Sequence, residues 1–151
     1  MNERVEFHAG TRAGRPAGLR SPFLQQHGAS LAEASVASAR SRHPELAERL
    51  RGGAGPLAVD HPHGALRTLD AAMSVGDPTT FLRYADWLVR SLAPSGVDTV
   101  AVETILRALA DAMAEAPCPA DLQAHRSLLV HTVRAAADRV RAHSAPRAAV
   151  S

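Results

Sequence analysis

Apolar residues recur at helical spacing along most of the chain, and nowhere do they alternate with a strand's period of two. The cleanest stripe is Val102, Ile105, Leu106, Leu109, Ala112, Met113 and Ala116. It predicts a helix capped by Asp98 or Thr99 and stopped at Pro117-Cys118-Pro119. A second stripe, Leu122, Leu129, Val133, Ala136 and Val140, predicts a last helix over about 120–143. Leu66, Leu69 and Met73 mark a helix over about 60–75, beginning at Asp60 and ending at Gly76, which suits a left-handed cap. Asp77-Pro78 then opens a helix to Leu92, with Asp77 as cap and Pro78 in the first turn. Upstream, Ser21-Pro22 signals a helix over about 22–41 carrying Leu24, Leu31 and Val36. A short helix over Pro44 to Arg51 and a loop over Gly52 to Pro56 follow it.

These elements predict an all-α fold, an antiparallel four- to five-helix bundle with disordered N- and C-terminal tails. Four helices from 60 to 143 are joined by links short enough to make neighbours antiparallel, and the helix at 22–41 packs across them as a fifth. The expected organisation is a tail over 1–20, one domain over 21–143 and a second tail over 144–151. At 151 residues a single domain can bury a real core.

Composition agrees with helix. Ala, Leu and Arg abound, all seventeen basic residues are Arg, and aromatics make up only 3% of the chain. Charge tempers the high pI. Residues 1–58 hold eight Arg against five acids, whereas residues 59–143 hold eight Arg against ten acids. A nucleic-acid binder would carry its basic stripe on the folded part, so no nucleic-acid partner is expected. The single Cys118 forms no internal disulfide and fits a reducing cytoplasm. No apolar run suits a secretory signal or a membrane span, so no membrane partner is expected.

Candidate chemistry is sparse. Asp60, His61 and His63 are possible metal ligands, but Pro62 parts the imidazoles and a site needs three or four donors. The simpler reading is a capping Asp60 with two solvated histidines, and no metal. H-E-x-x-H, Walker A, G-x-G-x-x-G and nucleophile-elbow patterns are all missing. His125 and His131 are turned apart by about 240° on one helix, so they cannot share a site. His125 borders the core stripe and is a structural histidine or an axial tetrapyrrole ligand. Asp70, Asp86, Asp111 and Asp138 read as polar-face carboxylates with local pairs to Arg.

The helix over 78–92 is the most distinctive, with three of the five aromatics: Phe81, Tyr84 and Trp87. At about 100° per residue, Phe81, Tyr84, Ala85, Leu88 and Leu92 share one face, and Trp87 lies beside it near Arg83 and Arg90. Phe81 and Tyr84 read as core, and Trp87 as a seam, a pocket wall or a protein contact.

Residues 76–109 resemble bacterial helical sensory or accessory domains, found alone or beside cobalamin-binding and stress-signalling modules. The resemblance rests on Gly76-Asp77-Pro78, on Phe81, Tyr84 and Trp87, and on the Gly96-Val97 turn. It covers about a quarter of the chain, and no D-x-H-x-x-G cobalamin motif accompanies it. It implies a regulatory or sensory bundle acting by ligand or partner binding. The expected function is therefore a non-enzymatic regulatory bundle with a protein partner, working as a homodimer, with no cofactor. The alternative is a small-molecule or tetrapyrrole sensor whose pocket uses Phe81, Tyr84, Trp87 and His125.

Overall fold

The computed structural model describes residues 19–45 and 55–144, with the backbone alone for 55–62. Five α-helices carry the described chain: α1 (Pro22–Arg42), α2 (Gly55–Ser74), α3 (Thr79–Leu92), α4 (Thr99–Glu115) and α5 (Gln123–Ser144). Single 3₁₀ turns extend α3 at Ala93–Ser95 and lead into α5 at Ala120–Leu122. Among the described residues there is no strand. Of the tails expected over 1–20 and 144–151, residues 1–18 and 145–151 lie outside the described residues, as does most of the short helix expected over 44–51. Leu19, by contrast, is buried in the core, Arg20 bonds Asp70 through its N–H, and Ser144 ends α5.

Local signals explain the ends. Ser21 caps α1, its Oγ accepting the Leu24 N–H at 3.2 Å, with Pro22 in the first turn. Asp98 caps α4 through the Ala101 N–H at 3.0 Å. Asp77 works one residue further out than expected, because α3 starts at Thr79. Its carboxylate accepts the Thr79 N–H at 3.2 Å and the Thr80 hydroxyl at 3.3 Å. Gly76 (φ +71°) and Gly96 (φ +82°) close α2 and the α3 extension in the left-handed conformation. In both turns the glycine N–H and the next N–H reach back to the last turn: Gly76 to Met73, Asp77 to Ala72, Gly96 to Ala93, Val97 to Leu92.

The start of α2 departs from expectation. The helix begins at Gly55, so Asp60 lies within it rather than capping it, and Gly55-Pro56 belongs to the helix rather than to a loop. Proline in the first turn costs no helical hydrogen bond, so Pro56 opens the helix upstream of Asp60.

Packing pairs α4 with α5, α5 with α3, α3 with α2, α2 with α1, and α1 with α4. The helices thus close a ring in the order α1, α2, α3, α5, α4. The first helix does not lie across a four-helix bundle, as the sequence suggested, but fills the place between α2 and α4. Cross-pairs give the directions. Arg107–Asp138 and Arg134–Asp111 step in opposite senses along α4 and α5, so these run antiparallel. Ser21 meets Asp70, and seven residues on Gly28 faces Leu66, which sets α1 antiparallel to α2.

One core runs through all five helices. Phe23 and Leu24 of α1, Leu66 and Leu69 of α2, Phe81 of α3, Leu106, Leu109 and Met113 of α4, and Leu129 and Val133 of α5 are fully buried. Burying each such side chain contributes about 1.5–3 kcal/mol. Phe23 is a main anchor of α1 that the Leu24, Leu31 and Val36 stripe did not include, and Val36 is only half-buried.

Candidate functional site

The polar residues of the bundle fall into three groups, and the first is internal. Asp70 is buried at 4% exposure, against the expectation of a polar helix face. One carboxylate oxygen accepts the Arg20 N–H and the other the Ser21 N–H, each at 2.8 Å. Ser21 Oγ shares a 2.6 Å hydrogen bond with His125 Nε2. The knot ties α2, the entry to α1 and the start of α5 together. Its residue types are those of a hydrolytic triad, but its geometry is not. Asp70 holds the backbone of Ser21 rather than the imidazole, and the serine oxygen is buried and engaged as a helix cap. The arrangement satisfies buried polar groups and pins α1. Sequence reading located Ser21 and the core-edge His125 but missed Asp70. The signal was present: Asp70 lies one turn from Leu66 and sits between Leu69 and Met73 on the core stripe.

The second group is a set of ion pairs, most of them between helices. Arg107 donates to Glu103 and to Asp138, each at 2.8 Å. Arg134 reaches Asp111 at 3.4 Å, and Arg42 reaches the same carboxylate at 3.9 Å. Asp86 is well shielded and held by both Arg139 (2.9 Å) and His143 (2.8 Å) of α5. The Arg139 hydrogen bond, outweighing partial burial and aided by His143, keeps the Asp86 carboxyl below the usual carboxylate range. Asp111 and Asp138 thus pair with Arg as expected, but Asp86 is enclosed rather than solvated.

The third group is the outer face of α3. Phe81 is fully buried, Tyr84 half-buried and Trp87 52% exposed. Their rings form a ladder from core to surface, with centroids 5.7 Å apart at each step and Trp87 stacked on Tyr84. Gly64 of α2 makes room for this ladder. A Cβ there would come within 3.2 Å of the Tyr84 hydroxyl oxygen. Burial pushes the Tyr84 phenol up to about 12, against the pull of the Arg67 guanidinium, so the hydroxyl stays protonated and available to donate. Arg83 and Arg90 flank Trp87 at one turn on either side, both exposed and without an ion pair among the described residues.

The structure brings Tyr84, Trp87, Arg83 and Arg90 onto one side of α3, closes Phe81 off in the core, and leaves His125 elsewhere. His125 precedes Arg139, the Asp86 partner, by fourteen residues of α5, which is roughly 20 Å of helix. Its Nε2 is engaged by Ser21. His63 is half-buried, and the side chains of Asp60 and His61 lie outside the described residues. Among the described residues no three His, Cys, Asp or Glu side chains gather as metal ligands, and no helix is long and apolar enough to cross a membrane.

Comparison with protein-family models, with curated proteins and with solved structures finds no match.

Proposed function

We propose that the protein is a non-enzymatic regulatory bundle that works by contact with another protein, and that the outer face of α3 is the contact surface. One observation carries the reading. The chain's single tryptophan stands half in solvent, braced by Tyr84 and flanked by two arginines that have no ion pair among the described residues. Exposed Trp and Arg are the residue types that dominate binding energy at protein interfaces. Stacking on Tyr84 fixes the indole before any partner arrives, which lowers the ordering cost of association. The resemblance of residues 76–109 to helical sensory domains points the same way.

The test is Trp87→Ala in the full chain. With its side chain half exposed, the variant should unfold at nearly the wild-type temperature and keep its helical circular dichroism. It should lose the protein that the wild type retains specifically from its host. A variant that retains the same partner undiminished, or a wild type that retains none, would sink the proposal. Light scattering on the same samples reads whether that partner is a second copy.

A further inference from the structure

We infer that the partner segment seated on the outer face of α3 is acidic; this rests on the reading of that face as a protein contact. The argument is one of unmatched charge. Elsewhere on the bundle, Arg42, Arg107, Arg134 and Arg139 each meet a carboxylate of the same chain. Arg20, Arg40 and Arg126, which meet none among the described residues, lie on other elements than the exposed Trp87. Arg83 and Arg90 meet none among the described residues. Arg67 of α2 adds a third cation close enough to Tyr84 to act on its phenol. The carboxylates of α3 and its entry are used elsewhere: Asp77 accepts from the Thr79 N–H and the Thr80 hydroxyl, and Asp86, about 100° around from Trp87, is held by Arg139 and His143. The face therefore offers an aromatic platform and positive charge, with no acid of α3 free to answer it. A carboxylate brought alongside the indole forms the charge-assisted, bidentate pairs that guanidinium groups favour.

Two rival occupants fit less well. A second copy related by a two-fold axis would set Arg83 and Arg90 against themselves, which is repulsive. A nucleic acid needs cations along its backbone. Arg83 to Arg90 spans only about 10 Å of helix, and residues 59–143 hold ten acids against eight Arg.

Because Trp87 is the only tryptophan, its fluorescence reports from the centre of the face. The experiment titrates the full-length protein with short peptides alternating Glu with Leu or Phe, with the matching Lys peptides, and with oligothymidylate. The Glu peptides should change Trp87 emission saturably and bind more weakly as salt is raised. The double variant Arg83→Glu/Arg90→Glu, checked for unchanged helicity, should weaken them by roughly tenfold or more. Anisotropy of a labelled Glu peptide should show a similar loss for Trp87→Ala, which lacks the fluorophore. Binding by the Lys peptides in place of the Glu peptides overturns the acidic assignment and leaves the protein-contact reading standing. Stronger binding by oligothymidylate overturns both in favour of a nucleic acid. An emission change on concentrating the protein alone, with dimers in sedimentation, assigns the face to a second copy and overturns the acidic partner. No change with any probe counts against the face as a contact surface.

Discussion

The entry to α1 and the outer face of α3 use their polar residues in opposite ways. At the entry to α1, the buried polar groups face others of the same chain: Asp70 takes two backbone N–H groups, and Ser21 takes His125. On α3, the aromatic ladder is completed on its inner side and left open on its outer side, with arginines that no carboxylate of the described chain answers. Polar residues that satisfy one another inside a bundle hold it together. Those left unmatched on a rigid element are available to something else. A functional surface in a small helical protein is therefore better sought where side chains lack partners than where reactive residue types cluster.

Substitutions can break this contrast. Asp70→Ala leaves the Arg20 and Ser21 N–H groups buried without acceptors, so stability should fall by about 2–4 kcal/mol in urea unfolding while peptide binding by the folded fraction is untouched. Trp87→Ala should do the reverse, costing about 2 kcal/mol of binding and, through the lost stack on Tyr84, only about 1 kcal/mol of stability. If both variants lose stability alike, the contrast fails. Ser21→Ala removes a helix cap and the partner of His125, and should destabilise by about 1–2 kcal/mol in the same assay. Gly28→Ala sharpens the contrast from the stabilising side. A Cβ there meets Leu19 at 3.6 Å and Leu66 at 3.9 Å, ordinary contact distances, so the variant should gain up to about 1 kcal/mol. The mildest effect concerns Asp86. Its carboxyl is depressed in the folded protein, so its contribution is present above the ordinary carboxylate range and lost as pH falls through the depressed value. Acid unfolding curves of Asp86→Asn should be flatter than wild type over that interval and coincide with it below.

Much of the fold was legible because the deciding interactions are local. Ser21 and Asp98 cap helices within three residues of themselves, Asp77 holds the Thr79 N–H from just outside the cap position, and Gly76 and Gly96 mark turns that their own backbone requires. Trp87 was legible as an oddity because its angular offset from Phe81 and Leu88 is fixed by helix geometry alone. What escaped depends on distant partners. Asp70 looked like a surface carboxylate because the amides that neutralise it lie about fifty residues away in sequence. The same holds for Asp86 with Arg139 and His143, and for the Ser21–His125 bond. At the start of α2, Asp60 looked like a cap only because Pro56 was read as part of a loop. On α1, Gln26 and His27 stand one turn after Phe23 where a stripe would continue with apolar residues, although Phe23 is among the most buried side chains of the described chain.

A ring of five helices has one more consequence, and it concerns dipoles. Alternating directions cannot close an odd ring, so one neighbouring pair must run parallel. With chain-consecutive helices antiparallel, that pair is α3 and α5. Helices α1, α3 and α5 then point their negative C-terminal ends one way, and only α2 and α4 point theirs the other way. The last turns follow this division. Arg40 and Arg42 end α1, Arg90 ends α3, and Arg141 and His143 end α5, whereas α2 and α4 carry no basic residue in theirs. The bundle is thus a molecule with two unlike poles, its side-chain cations gathered where three backbone dipoles converge.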